Sequence, residues 1–247
     1  MRHALRAAKR LFPVFSLLLL AAWPLWAAPP MVPLKGNVFS QPWPAADFSL
    51  TDQHNRVFHM ADTKGKVVVL SFIYTHCTDF CPFIALKLKE AAKLLGADDG
   101  RFVMVAVTTD PQRDTPRVNA QYSRAMGMFD SWHFVTGPIG EMRRVWKDYY
   151  IGVEMEKETP PAAAAATKVD PKAEKEAQDQ AQKVASGLST EDRTLVGHII
   201  DQFGGGYDVS HDIPFWIVDR QGRMRVSLDA DATPADIAFD VRSLLAE

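Results

Sequence analysis

The 247-residue sequence predicts an α/β layer structure. Three observations carry that prediction. Residues 67–74 and 101–107 are near-continuous apolar runs with the length and branching of buried strands. Each run is followed by an amphipathic segment that opens at a proline, Pro82 or Pro116, the residue suited to a first helical turn. The chain then closes with a second pair of strand-like runs and a third amphipathic segment, so strands and helices alternate.

The elements follow in order. Residues 48–52 and 56–59 alternate around Gln53, His54 and Asn55 and predict a hairpin. The strand over 67–74 leads into a helix with Ile84, Leu88, Ala91, Ala92 and Leu95 on one side, ended by Gly96. With Pro82 inside the first turn, Cys81 is the expected N-cap. The strand over 101–107 leads through a loop over 110–115 into a helix with Val118, Tyr122 and Met126 inward. A short strand over 132–135 and a helix over 140–150 come next. Residues 215–218 and 224–228 predict a hairpin across a turn that ends in Gly222, and Thr233-Pro234 starts a helix with Ile237, Val241 and Leu244 inward. Buried strands that feed helices require a partly parallel sheet. The order β-α-β-α-β-β-α, with a dithiol after an early strand, is thioredoxin-like.

Three stretches lie outside this scheme. Arg2, Arg6, Lys9 and Arg10 precede the uncharged apolar run 14–26, so residues 1–28 read as an export signal or a membrane anchor. Residues 29–45 are proline-rich and aperiodic and read as a tether to a domain over 46–247. Residues 157–182 are dominated by Ala, Lys, Glu, Pro and Gln, too poor in large apolar side chains to order a packed element. They are expected to form a low-complexity surface insertion spanning 157–190. Beyond it, Leu195, Val196, Ile199, Ile200 and Phe203 share one face of a helix that Gly204-Gly205-Gly206 terminates. A net charge of −2 gives no bulk attraction for nucleic acid or for an acidic partner.

The chemistry concentrates at one turn. The chain has two cysteines, Cys77 and Cys81, both between the first buried strand and its helix. Two thiolates are soft donors suited to Cu(I) and also to Zn(II). The same pair spans a turn short enough to close a disulfide, and a structural disulfide is the plainer alternative. Cys81, at the helix N-terminus, is expected to have its thiolate stabilised by the local positive potential. Strand alternation points His76 away from the thiols. Asp79 is either a neighbour that tunes them or a solvated carboxylate. Arg113 and Asp114 are candidates to pair with each other, with Asp114 capping structure. His198 falls on the polar side of its helix. Met126, Met128, Met142, Met155 and Met224 are scattered, so packing is the expectation for each.

Tyr74-Thr75-His76-Cys77-Thr78-Asp79-Phe80-Cys81-Pro82 resembles the core motif of the Sco/SenC proteins. Asp110-Pro111-Gln112-Arg113-Asp114-Thr115-Pro116, followed by Tyr122, resembles their next conserved loop. Thr136-Gly137, leading to Trp146 and Tyr149-Tyr150, resembles the segment after that. Thr78 stands where that family usually has proline. The resemblance implies a thioredoxin-fold copper-binding protein that serves the CuA centre of cytochrome c oxidase. It implies His211 as a distal ligand beside Cys77 and Cys81, with a turn histidine near Trp216 as the alternative. The implied role is a metallochaperone delivering Cu(I) or Cu(II) to apo-cytochrome c oxidase subunit II or another copper protein. The rival role is a thiol-disulfide oxidoreductase in which Cys77 and Cys81 cycle with a thiol reductant. An exported protein, periplasmic or held on the outer face of the inner membrane through its N-terminus, is the corresponding location. By analogy with thioredoxins, the Ile213–Pro214 bond is expected to be cis.

Overall fold

A computed structural model describes residues 33–96, 100–155, 188–212 and 214–247, together with Lys175, Asp179, Gln182, Lys183 and Ala185. The export segment, most of the insertion, and Ile213 with its bond to Pro214 lie outside the described residues. Among the described residues, no helix is long and apolar enough to cross a membrane.

A six-stranded mixed sheet organises the domain. Its strands are β1 (Asn37–Pro44), β4 (Val67–Ile73), β5 (Phe102–Thr108), β6 (His133–Val135), β9 (Phe215–Val218) and β10 (Arg223–Leu228), in the spatial order β1-β10-β9-β4-β5-β6. Strands β4, β5 and β6 run parallel, in the register Val69 to Met104 and Val105 to His133. Strands β9, β10 and β1 add antiparallel neighbours on the other side of β4. The parallel part follows from its crossovers, helix α1 (Cys81–Leu95) after β4 and helix α2 (Pro116–Ala125) after β5. A parallel pair needs such a connection, whereas the Gly222 turn (φ 76°) lets β9 and β10 pair directly.

Every residue of β4 is buried, and the period of two divides them between two cores. Val67, Val69 and Ile73 face a core built with α1, helix α4 (Thr190–Phe203) and helix α5 (Pro234–Ala246). Val68, Leu70 and Phe72 face a second core. It is closed by helix α3 (Ile139–Asp148) and by the hairpin β2 (Ser49–Thr51) and β3 (Val57–His59), which runs into a 3₁₀ turn over Met60–Thr63. Both faces are covered, which is why these strands lack polar alternation.

Three expectations change. Residues 37–44, expected to be tether, form the edge strand β1. It pairs with β10 across an irregularity between Val38 and Trp43, and Asp240 of α5 accepts the Lys35 and Gly36 amides. Phe80, not Cys81, is the N-cap of α1, and Cys81 is its first helical residue. Met155 is exposed rather than packed, while Met126, Met128, Met142 and Met224 are buried. A further element was not expected at all: β7 (Val153–Met155) and β8 (Val209–His211) form a separate antiparallel ribbon. Within the insertion, Lys175, Asp179, Gln182 and Lys183 are helical and exposed, and Ala185 is buried.

Candidate metal and thiol site

Strand β4 ends at Ile73, and the chain turns through 74–80 before α1 begins. Helix α1 has no side-chain cap on Phe80. The Cys81 amide, one of its free N–H groups, instead lies 3.5 Å from the Cys77 sulfur and donates to it. The turn therefore wraps Cys77 over the positive end of the helix.

This corrects the expectation that the helix N-terminus stabilises the Cys81 thiolate. Hydrogen bonding from the Cys81 side chain, more than offsetting burial, holds the Cys77 thiol below its ordinary range, helped by the Cys81 and Asp79 amides and the Tyr74 hydroxyl. Burial pushes the Cys81 thiol well up, and Cys77 beside it adds to the rise. Cys81 has the helix N-terminus nearest in sequence, but it is only 1% exposed. Desolvation outweighs the dipole there. Both cysteines are free thiols.

The turn is fixed from β5. Asp114, fully buried, accepts the Thr75 amide at 3.2–3.3 Å, the Thr75 hydroxyl at 2.5 Å and the Thr108 hydroxyl at 2.6 Å. It does not pair with Arg113. That guanidinium instead pairs with Asp110, stacks 3.7 Å over the Tyr207 ring, and donates to the Gly205 and Tyr207 carbonyls. The loop after α4 is thereby held against the thiol turn, with the Gly205 amide on the His76 carbonyl at 3.4 Å. The His76 ring is bonded to Thr75 and lies 3.8 Å from Asp114; it sits in the turn beyond β4, so strand alternation does not set its direction. His198 is exposed on α4.

His211 arrives from the other side as the last residue of β8, opposite Val153 of β7. Its Nδ1 bonds the Asp212 carbonyl at 2.8 Å. A carbonyl only accepts, so Nδ1 carries the proton and Nε2 is left unprotonated. Nε2 lies 3.6 Å from the Cys81 sulfur. The ring packs edge-on against Tyr74 at 5.8 Å, not against Trp216. Burial holds the imidazole below its ordinary pKa, toward the neutral, ligating form. Two supports for this placement have no sequence signal. The Asp212 carboxylate accepts the Gly152 amide at 2.9 Å, and the Tyr74 hydroxyl accepts the Val209 amide at 3.2 Å.

Cys77, Cys81 and His211 thus line one cavity of about 610 Å³, with Asp79 and Asp208 at its rim. Burial, and then Asp208, raise the Asp79 carboxyl. The donors meet pairwise: Cys77 with Cys81, and Cys81 with His211. Two ligands of one small metal ion, with bonds of ~2.3 Å to sulfur and ~2.0 Å to nitrogen, stand ~3.5–3.7 Å apart at tetrahedral to trigonal angles. The Cys81–His211 separation meets that requirement. Among the described residues no group of three or more His, Cys, Asp or Glu is placed to hold a metal ion together.

A thioredoxin-like sheet with a dithiol at the end of its central strand and an imidazole facing it defines a dithiol class of protein. The SCO1/SenC family profile matches residues 41–174, more than half of the sequence, and the chain belongs to that family. A mitochondrial SCO2 homolog of Bos taurus is 35% identical over 111 residues, which are 42% of this chain and 40% of that protein. The chain therefore spans about two fifths of the length of that relative. Among solved structures, copper-bound ScoI of Bradyrhizobium japonicum superposes with a TM-score of 0.59 at 21% identity, over 82% of this chain and 100% of that one. Apo Sco1 of Thermus thermophilus gives 0.60 at 22% identity, over 87% and 99%. These likenesses establish the thioredoxin-like fold. The family match ends at 174, so His211 rests on its geometry.

Proposed function

We propose that this protein binds copper through Cys77, Cys81 and His211 and hands it to an apo-copper protein outside the cytoplasm. The CuA-bearing subunit II of cytochrome c oxidase is the recipient that family membership favours. The observation that carries the reading is the unprotonated Nε2 of His211, 3.6 Å from the Cys81 sulfur. Two sulfurs and one nitrogen suit Cu(I) as a three-coordinate ion and leave room for a fourth donor on Cu(II). An open cavity and a ligand carried on a separate ribbon suit an ion that must leave again. The copper-bound ScoI relative supports the choice of metal.

A second reading is favoured by one observation, the Cys81 amide that donates to the Cys77 sulfur and so favours its thiolate. Cys77 is the better thiolate and Cys81 the buried partner. That is the division of labour in a dithiol that reduces a target disulfide: Cys77 attacks, Cys81 resolves the mixed disulfide, and two electrons pass to the target as Cys77 and Cys81 join. The two roles compete for the same sulfurs.

Copper titration of the reduced full-length chain tests the first reading. One equivalent should bind, with a sulfur-to-copper charge-transfer band for Cu(II). His211→Ala should weaken binding, and the Cys77→Ser and Cys81→Ser variants should each abolish it. Unchanged one-to-one binding in the double serine variant sinks the metal reading. Reduction of a disulfide substrate by wild type, with no copper uptake, favours the second.

A further inference from the structure

The loop that borders the thiol turn continues directly into a second, chemically different cavity. Thr115, at its edge, is two residues beyond Arg113, so the two Cα atoms lie within ~7.6 Å of each other. This cavity, about 460 Å³, opens between the start of α2 and the turn that joins β2 to β3. Three arginines line it, Arg56, Arg117 and Arg124, with His54 and Phe129, and no carboxylate does.

Such a concentration of positive charge is unexpected in a chain of net charge −2. Arginines on protein surfaces ordinarily find acids or carbonyls. Here the guanidinium groups of Arg56 and Arg117 have no partner among the described residues. The neighbouring acids are committed elsewhere. Asp52 accepts the His54 and Arg56 amides and bonds His133. Asp114 is buried on Thr75 and Thr108. Asp130 does not line the cavity. Arg124 lies flat over the Phe129 ring at 4.0 Å, and His54 packs on the same ring at 4.4 Å. One cationic wall is thus held in place by an aromatic plate.

The spacing selects among anions. Arg117 and Arg124 are seven residues apart on α2, two turns, so they share one helix face and are separated by ~10.5 Å along its axis. Between them the floor is Ala120, small and buried. Arg56 faces them from the opposite wall. Carboxylates three residues apart on a chain in the polyproline II conformation lie on one side, ~9 Å apart. The forks therefore match several acids spaced along such an extended segment better than one compact anion.

We propose that this cavity docks an extended acidic segment of a protein partner. The chemistry of the pocket stands by itself; that the partner is the copper recipient rests on the proposed metal hand-over. An acidic arm bound here would lie beside the loop that frames the thiols.

The test is titration of the full-length chain with acetylated hexaglutamate and, separately, with inorganic phosphate, followed by calorimetry and by amide shifts in NMR. Saturable hexaglutamate binding that shifts His54, Arg117 and Arg124 is expected. Arg117→Ala with Arg124→Ala should weaken it about tenfold, as for two exposed charge contacts, and added salt should weaken it further. Arg56→Ala, on an exposed turn, keeps the test open if the double variant does not fold, and should weaken binding about threefold. Unchanged affinity in these variants, or phosphate binding at the same amides without hexaglutamate binding, overturns the proposal. Copper uptake measured on the same samples separates the two readings. Peptide binding without copper uptake removes only the recipient; copper uptake without peptide binding removes the docking site.

Discussion

Replacing Asp114 by alanine should cost the domain about 1–3 kcal/mol, the range for leaving one buried amide donor without its acceptor. The figure can be worked from contacts. The carboxylate accepts one amide and two hydroxyls, all buried, from Thr75 and Thr108. Hydrogen bonds to a charged group contribute roughly 1.5–3 kcal/mol each, but they are not additive. The hydroxyls can rotate to other acceptors; the Thr75 amide cannot, and burying it unpaired costs roughly 1–3 kcal/mol. Asp114→Asn keeps one acceptor oxygen and should cost about half as much. Urea unfolding of wild type and both variants measures the differences, with slopes expected to match because the surface exposed is the same. Since Thr75 lies two residues before Cys77, copper affinity should fall with stability. A loss under ~1 kcal/mol for the alanine variant would falsify the view that this carboxylate anchors the thiol turn.

Three further outcomes are expected. Tyr74→Phe removes the acceptor of the buried Val209 amide and a donor to Cys77. It should lower stability by about 1–2 kcal/mol and raise the pH at which the Cys77 thiolate absorbs at 240 nm; an unchanged titration refutes the contact. Gly204→Ala places a methyl 2.6 Å from the Ile200 carbonyl oxygen and 2.8 Å from Thr78. Because backbone is one of the two, a loss of about 1–3 kcal/mol should appear in thermal unfolding, and wild-type stability would contradict the packing. Burial pushes the Asp219 carboxyl up, but hydrogen bonds from Arg223 and Arg225 prevail and hold it below its ordinary value. The unfolded chain then binds this proton first, so the contribution is full above about pH 4 and is lost as pH falls through the folded value. Asp219→Asn should flatten that part of the acid-stability curve; an identical curve shows that other carboxyls govern it.

How much was readable from sequence depended on how each element is stabilised. Strands β4 and β5 and helix α1 bury continuous or one-sided apolar sets, so pattern alone locates them. Strand β1 carries Gln41, Pro42 and Pro44 and is mostly exposed. Its order comes from pairing with β10 and from Asp240, contacts far away in sequence. The ribbon strand β7 has three residues, fewer than a period can reveal, and its partner lies beyond residue 208. The cysteines were identifiable by type and position, but their unequal acidity was not. It depends on how the turn folds Cys77 back over the Cys81 amide, and on the near-complete burial of Cys81. Arg113 and Asp114 stand out in sequence as a candidate pair, yet each bonds a different loop.

The ribbon also has a bearing on how this chain can change over generations. β7 and β8 clasp the two ends of the stretch from 156 to 208, and His211 sits at the clasp. Closing a longer loop costs only about 0.6 kcal/mol per doubling. Additions and deletions ahead of α4, between 156 and 187, can accumulate while the imidazole keeps its station, so the length of that part is open to change.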